Sequence, residues 1–136
     1  KPRTIFLGFK DFQQLTLIKL HLIKKKISTK VVACPTIREK NGIALSSRNA
    51  KLNKIQIKIA KKVFAYLKDN KKIILSANSK KKQSEIIDRV IKIGVTKVDY
   101  IKCINLKTLQ KTKKINEKSN VFIAYYLGDT RLIDNL

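Results

Sequence analysis

Two polar clusters in this chain carry the side chains that bind phosphate groups. The first covers residues 8–14 (Gly-Phe-Lys-Asp-Phe-Gln-Gln), and the second covers residues 46–49 (Ser-Ser-Arg-Asn). A lysine supplies a full positive charge, hydroxyl groups supply small donors, and a guanidinium offers two parallel donors to phosphate oxygens. Because each cluster follows an apolar run and suits no packed core, the pattern predicts two loops that hold a polyanion.

The first cluster is predicted to lie where a strand gives way to a helix. Residues 4–7 predict a buried strand that ends at Gly8, and Leu15, Ile18 and Leu22 then recur at helical spacing. We expect Asp11 to cap this helix. Open α/β sheets bind ligands at the carboxyl ends of their strands, and a helix N-terminus attracts phosphate. The cluster matches neither GxGxxG nor a Walker A loop, so generic motifs add little.

The second cluster is predicted to lie in a long connection. Residues 30–34 read as another strand that Pro35 ends, and residues 36–49 follow before the next apolar run. A connection of this length in a compact chain is usually functional or disordered. Taken alone, the Ser-Ser-Arg-Asn run fits a phosphate-binding loop and equally fits an exposed polar loop that caps the helix after Lys51.

Four blocks of the sequence have the order and spacing found in pantothenate synthetases: residues 8–16, 35–39, 42–49 and 128–135. The chain therefore resembles this family from residue 1 to residue 136. The resemblance implies an α/β fold in which residues 1–48 form the end of a Rossmann-like nucleotidyltransferase domain with its phosphate loop. Residues 49–136 would then form a small α+β domain with a three-stranded antiparallel sheet.

The resemblance also implies a reaction, which is the ATP-dependent ligation of pantoate and β-alanine to pantothenate. Pantoyl adenylate is the intermediate, AMP and pyrophosphate are released, and Mg²⁺ accompanies ATP. A cytoplasmic homodimer without membrane contact is implied for the complete protein. The HIGH-like histidine motif of the family has no match here, and His21 reads as an ordinary helix residue. We therefore expect this chain to be a fragment that lacks the amino-terminal half and is inactive alone.

Site residues carry over from the family position by position. Gly8 and Asp11 match positions beside the ribose, Lys10 matches a lysine on the ATP phosphates, and Gln14 matches a glutamine that binds pantoate. The remaining ATP-binding positions are Phe9, Ile37 (through its backbone, at the adenine), Leu45, Ser46, Ser47 and Arg48. Of all these, the resemblance assigns catalysis to Lys10, Ser46, Ser47 and Arg48.

No protein metal ligands are predicted. Three positions depart from the family pattern. Phe9 stands where Glu is common, so a polar role there is lost. Leu45 replaces a common Met of similar volume. Asn41 replaces an Asp before Gly42, and Asn serves a turn equally well.

The strong positive charge suggests an alternative function. The formal net charge is +23, with 32 Lys and Arg against 9 Asp and Glu, which invites a nucleic-acid-binding hypothesis. Only five of the basic residues are Arg, and the lysines are scattered, which favours a solvated surface over a binding stripe. A third possibility is a nucleotidyltransferase with another acceptor, although Gln14 and residues 35–39 argue against it.

The remainder predicts a two-helix, three-strand unit. Apolar spacing indicates a helix over residues 52–67 and another over residues 86–93, with Ser84 as N-cap and Gly94 as its end. Residues 97–104, 121–127 and 131–135 read as strands, residues 128–129 as a hairpin turn, and residues 107–120 as mostly loop. Cys34 and Cys103 are expected to be reduced thiols, and no apolar run is long enough to span a membrane.

Overall fold

The computed structural model of the chain describes residues 2–77, 79–111 and 119–136. The chain divides into two compact units, Lys1–Arg38 and Glu39–Leu136. This division precedes the predicted functional boundary between residues 48 and 49. The assignment of residues 1–48 to nucleotide binding stays a prediction, since it concerns what the segments bind.

The first unit is a small parallel α/β motif. Strand β1 (Thr4–Gly8) leads through a short 3-10 helix (Phe9–Asp11) into helix α1 (Phe12–Lys24), and strand β2 (Lys30–Cys34) follows. The two strands pair in parallel, with Thr4 opposite Lys30 and Gly8 opposite Cys34. Together with the antiparallel sheet described below, this confirms the predicted α/β class.

Helix α1 begins where the sequence predicts, but not by the predicted contact. Asp11 occupies the N-cap position, yet its side chain makes no capping hydrogen bond. The reason is local geometry, because Asp11 ends the 3-10 helix with φ −90° and ψ 49°, whereas a capping side chain usually projects from an extended residue. The exposed Asp11 carboxylate is thus not engaged in capping α1.

The first unit leaves large apolar side chains exposed. Leu15 of α1 is buried, whereas Leu17, Leu20 and Ile23 of the same helix and Phe6 of β1 are more than half exposed. Parallel sheets are normally covered on both faces, and their strands are apolar for that reason. A two-stranded sheet with such an exposed surface needs a further packed layer to gain the stability typical of α/β proteins.

The second unit packs helices on an antiparallel sheet. Its elements are α2 (Lys54–Asp69), α3 (Lys71–Leu75), α4 (Lys80–Lys92), β3 (Lys97–Asn105), β4 (Ser119–Leu127) and β5 (Thr130–Asn135), and the strand order is β3-β4-β5. The core is formed by side chains with almost no solvent exposure, including Val63, Leu67, Val90, Ile123 and Leu127. The predicted three-stranded antiparallel sheet is confirmed, with Gly128 and Asp129 in the turn that joins its last two strands.

Helix ends in this unit follow local capping chemistry. Asn53 and Gln56 form a reciprocal capping box at the start of α2, with both bonds at 2.9 Å. The prediction of Ser84 as N-cap of α4 is wrong, because Ser79 caps this helix by accepting a hydrogen bond from the Lys82 amide at 3.2 Å. The first turn of α4 is lysine-rich, so apolar spacing could not reveal it. Of the predicted loop at residues 107–120, Ser119 and Asn120 belong to β4, and residues 112–118 lie outside the described residues.

Candidate functional site

The carboxyl ends of β1 and β2 lie side by side in the first unit. Gly8 is the last residue of β1 and is paired with Cys34, the last residue of β2. Residues 9–11 and residues 35–38 therefore leave the sheet at the same edge. The structure thus brings Gly8, Lys10 and Asp11 to the edge from which Ile37 also departs, as a ligand site of an open α/β sheet requires.

Gly8 occupies a position that neither the backbone nor the packing reserves for glycine. Its φ of −65° and ψ of 134° are extended values that any residue adopts. A Cβ built on Gly8 would meet no atom of the chain within 4 Å. The space beside Gly8 is therefore open, and a ligand could approach the backbone closely there.

The polar side chains of the first cluster point outward at the start of α1. Asp11, Gln13 and Gln14 are exposed, and Lys10 is half-buried. The Phe9 ring packs against the Phe12 ring with centroids 5.1 Å apart. Phe9 thus makes an apolar contact, in keeping with the predicted loss of a polar role at this position.

The loop before the second cluster is anchored in the core of the second unit. Ile43 and Ala44 are buried, and Gly42 has a positive φ of 88°. A Cβ on Gly42 would lie 2.3 Å from carbons of the Phe64 ring, so Phe64 of α2 packs directly on the glycine backbone. These contacts fix the chain immediately before residues 45–48, whose side chains are half-buried or exposed.

A short 3-10 helix, Ser47–Lys51, begins within the second cluster, and Ser46 is its N-cap residue. The Ser46 hydroxyl caps it by accepting a hydrogen bond from the Arg48 amide at 3.2 Å. The interpretation that this cluster caps the helix after Lys51 is wrong, because Ser46 caps the short 3-10 helix and Asn53 caps α2. A hydroxyl that accepts can still donate its own proton, so Ser46 keeps a donor for an anion. The Ser47 and Arg48 side chains are exposed.

The fourth sequence block supports the second cluster. Arg48 donates a hydrogen bond from Nη1 to the backbone oxygen of Arg131 in β5 at 3.4 Å. The Arg131 side chain in turn binds Asp99 of β3, with Nε and Oδ2 2.7 Å apart. This side-chain hydrogen bond raises the pKa of Arg131 above its ordinary value. Sequence reasoning assigned no role to Arg131, because nothing in its spacing relates it to Arg48.

The predicted residues are divided between the two units. Gly8, Phe9, Lys10, Asp11, Gln14 and Ile37 lie in the first unit, and Leu45, Ser46, Ser47 and Arg48 lie in the second. Each unit thus holds one of the two polar clusters that are predicted to bind anions. Their joint action on one ligand is a matter of function and is taken up below.

Other chemistries find little support in the described part of the chain. No group of three or more His, Cys, Asp or Glu among residues 2–77, 79–111 and 119–136 could hold a metal ion. Cys34 and Cys103 are free thiols. Within the same residues, no helix has the length and apolar character needed to cross a bilayer. His21 is exposed on α1, as expected for an ordinary helix residue.

Comparison with known proteins matches the whole chain to one family. The family model described as pantoate-beta-alanine ligase matches residues 1–136. A pantothenate synthetase from Clostridium botulinum (strain Langeland) is 38% identical over 136 residues, which cover 98% of this chain and 48% of that protein. The pantothenate synthetase of Caldicellulosiruptor saccharolyticus is 34% identical, with 99% and 49% covered. The chain spans about half the length of the curated relatives it matches.

Solved structures give the same result. The pantoate-beta-alanine ligase of Francisella tularensis, crystallised with beta-gamma ATP and beta-alanine, matches 99% of this chain with a TM-score of 0.75 and 33% identity, over 43% of its own length. Pantothenate synthetase from Thermus thermophilus matches 99% of this chain with a TM-score of 0.78 and 26% identity, over 49% of its length. The fold of the chain is therefore similar to the matched parts of these ligases.

Proposed function

Because the chain belongs to the pantoate-beta-alanine ligase family, we propose that it supplies the carboxyl-terminal half of an ATP-dependent ligase that joins pantoate to β-alanine. The observation that carries the proposal is the match of the family model to all of residues 1–136, which includes both anion-binding clusters. The Francisella tularensis ligase, crystallised with beta-gamma ATP and beta-alanine, supports ATP and β-alanine as ligands.

The proposed reaction has two steps that need positioned charge and no side-chain nucleophile. A carboxylate oxygen of pantoate attacks the α-phosphorus of ATP, the bond to the bridging oxygen breaks, and pyrophosphate leaves with its negative charge. The amine of β-alanine then attacks the acyl carbon, loses a proton and expels AMP, which gives pantothenate. Donors and cations fixed in advance around the phosphates lower both barriers.

The first unit would bind the nucleoside and pantoate. The space beside Gly8 is open, which would let the ribose approach the backbone there. Asp11 would also lie beside the ribose. Lys10 is placed on the phosphates, where a lysine acts as a point charge. The exposed amide of Gln14 would hydrogen-bond pantoate, and the backbone at Ile37 would meet the adenine.

The second unit would bind the triphosphate through residues 45–48. Leu45 is the first residue of this segment and follows the buried part of the loop. The Ser46 and Ser47 hydroxyls would donate to phosphate oxygens, and the Arg48 guanidinium would bind two oxygens at once. Lys10 and residues 45–48 would each bind phosphate oxygens of ATP.

We assign Mg²⁺ to the phosphates of ATP, where it neutralises charge on the triphosphate. A hard cation of this kind is commonly held by substrate phosphates, few protein carboxylates and water. The described residues fit this role, since they offer hydroxyl, lysine and arginine groups that would bind the phosphates. We further propose that the complete protein acts in the cytoplasm as a homodimer, a setting in which Cys34 and Cys103 would stay reduced.

A chimeric enzyme tests the proposed function. The half of the Clostridium botulinum relative that precedes the matched region is joined to residues 1–136, and AMP release is measured with ATP, pantoate and β-alanine. We expect turnover that requires all three substrates, and none from the 136 residues alone. A folded chimera whose rate does not exceed that of its Lys10→Ala variant would refute the proposal.

Replacing Gly8 by alanine should weaken ATP binding without lowering the stability of the fold. The backbone at Gly8 accepts alanine and no atom lies in the way, so the free energy of unfolding should stay the same or rise by about 0.5 kcal/mol. The KM for ATP in the chimera should rise roughly tenfold, because the new methyl group occupies the space of the ribose. Denaturant unfolding and initial rates at varied ATP measure the two effects. An unchanged KM for ATP would show that Gly8 does not contribute to the ATP-binding site.

A further inference from the structure

The carboxylate of Glu39 holds two asparagine side chains in the loop that precedes Ser46. Asn41 donates from Nδ2 to Glu39 Oε2 at 3.1 Å, and Asn49 donates from Nδ2 to Glu39 Oε1 at 3.0 Å. Glu39 and the two asparagines are all only partly exposed. One carboxylate thus joins the start of the loop to a residue on the far side of the Ser-Ser-Arg segment.

The bond to Asn49 fixes the far end of the loop. Asn49 Nδ2 also donates to the backbone oxygen of Ala44 at 3.1 Å. Glu39 Oε1 and this carbonyl oxygen can only accept, so the amide must present its nitrogen to both. The Asn49 Oδ1 atom is buried and accepts no hydrogen bond from the described residues. The amide therefore ties residue 49 to Ala44 and Glu39, on the near side of residues 45–48.

The bond to Asn41 fixes the near end of the loop. Asn41 Oδ1 accepts a hydrogen bond from the Ile43 amide at 3.0 Å. The Glu39 amide donates to the Ile43 carbonyl oxygen at 2.9 Å, and the Gly42 amide donates to the Glu39 carbonyl oxygen at 2.8 Å. Glu39 is thus bonded through its backbone and through Asn41 to the same tight turn.

We propose that Glu39 is a positioning residue that holds residues 45–48 in the shape that binds phosphate. The inference rests on the proposed function and adds a residue to which the sequence analysis gave no role. Residues 44 and 49 are pinned while the Ser47 and Arg48 side chains stay exposed, so donors are oriented before the ligand arrives. Such preorganisation lowers the cost of ordering a loop at the moment of binding.

The chemistry of the carboxylate suggests a pair of variants. In Glu39→Gln, the new amide oxygen can still accept from Asn49, but the new NH₂ group faces the NH₂ group of Asn41, and two donors cannot bond each other. In Glu39→Gln with Asn41→Asp, the glutamine NH₂ donates to the aspartate, whose other oxygen still accepts from the Ile43 amide. The double variant restores the number of hydrogen bonds and the net charge. Glu85→Gln, an exposed site on α4, is the matched control for charge.

Hydrogen exchange of backbone amides in the chimeric ligase described above, which is the parent chain here, with and without Mg·ATP, is the test. Glu39→Gln should speed exchange at Gly42, Ile43 and Asn49 about tenfold, while amides of α2 and α4 keep their rates. In the parent chain Mg·ATP should slow exchange at Ser47 and Arg48. This slowing should be lost in Glu39→Gln and regained in the double variant, whereas Glu85→Gln should resemble the parent chain.

The outcomes separate this inference from the proposed function. If Glu39→Gln exchanges like Glu85→Gln, or if the double variant exchanges as fast as Glu39→Gln, the positioning role is refuted. It is also refuted if the loop loosens and Mg·ATP still slows Ser47 and Arg48 as in the parent chain. If Mg·ATP has no effect on the parent chain, the proposed function fails here, while the exchange rates alone still decide whether Glu39 fixes the segment.

Discussion

Replacing Lys10 by alanine in the chimeric ligase should lower kcat/KM for ATP by about a hundredfold to a thousandfold. Pyrophosphate leaves with concentrated negative charge, and loss of one preorganised group that stabilises developing charge typically costs this much. Because the interaction strengthens as the charge develops, kcat should fall together with kcat/KM. Initial rates of AMP release at varied ATP concentration measure the effect.

Lys24→Ala is the matched control for this prediction. Lys24 is an exposed lysine in the last turn of α1, in the same unit as Lys10, so its removal changes the net charge equally. We expect kcat/KM to change less than twofold, since an exposed charge away from the reacting atoms is screened by salt. Equal losses in the two variants would mean that general charge, and not a site, attracts ATP.

The same two variants test the nucleic-acid-binding alternative. Non-specific binding to a polyanion depends on the number of cations near the phosphates and falls steeply with salt. If the chain were a basic nucleic-acid module, Lys10→Ala and Lys24→Ala would weaken binding to random oligonucleotides by similar factors, and this binding would be much tighter than binding to ATP. Exposed lysines lie on all four helices and in both units, for example Lys24 on α1, Lys61 on α2, Lys72 on α3 and Lys80 on α4.

Secondary structure was predicted well where the prediction rested on runs or on regular spacing of apolar residues. The strands predicted at residues 4–7, 30–34 and 97–104 and the helix predicted over residues 52–67 agree with the structure to within two residues at each end. The strands are short apolar runs, and the apolar residues of the helix recur at helical spacing. Helix α3 was missed, since Asn70 looked like the end of a helix. Asn70 is in fact the C-cap of α2 and the N-cap of α3, a double use that composition does not reveal.

The candidate site residues were chosen by residue type and by resemblance, and their role stays a prediction, whereas the contacts that support them were not predicted. Lysine, serine and arginine side chains supply the charge and the donors that phosphate groups bind, so these residue types point to candidates without the fold. Glu39 and Asn49, by contrast, are ten positions apart with no periodic relation, and their contact depends on a turn that only the three-dimensional loop defines. Arg131 lies 83 residues from Arg48, and packing of β5 beside the short 3-10 helix makes them neighbours.

The scattered lysines and the anchored loop would contribute differently to the choice of ligand. A net charge of +23 attracts any anion at low salt, so affinity alone cannot identify the ligand. Under the proposed function, selectivity for a triphosphate requires donors held at fixed positions, and the buried residues Ile43 and Ala44 would anchor them in the second unit. Gly42 precedes these residues with a positive φ and packs against the Phe64 ring, so its substitution tests the contribution of the loop to stability.

Replacing Gly42 by alanine should lower the free energy of unfolding of the second unit by about 3 kcal/mol. Two costs combine, because a residue with a side chain at φ 88° is strained by about 1–2 kcal/mol and overpacking adds about 1–3 kcal/mol. The overpacking arises where the new Cβ would lie 2.3 Å from the Phe64 ring. Denaturant unfolding followed by far-UV circular dichroism measures the change, with Gly8→Ala as the glycine control.

A double-variant cycle with Phe64→Leu separates the two costs. Leucine removes the ring atoms that the new Cβ would meet but leaves the backbone conformation of residue 42 unchanged. Gly42→Ala should therefore cost less in the Phe64→Leu background than in the parent chain, and the difference is the steric share. The residual cost should be about 1–2 kcal/mol, the strain of a positive φ. Equal costs in both backgrounds would show that the ring yields freely, and stability unchanged by Gly42→Ala would show that this turn does not anchor the loop.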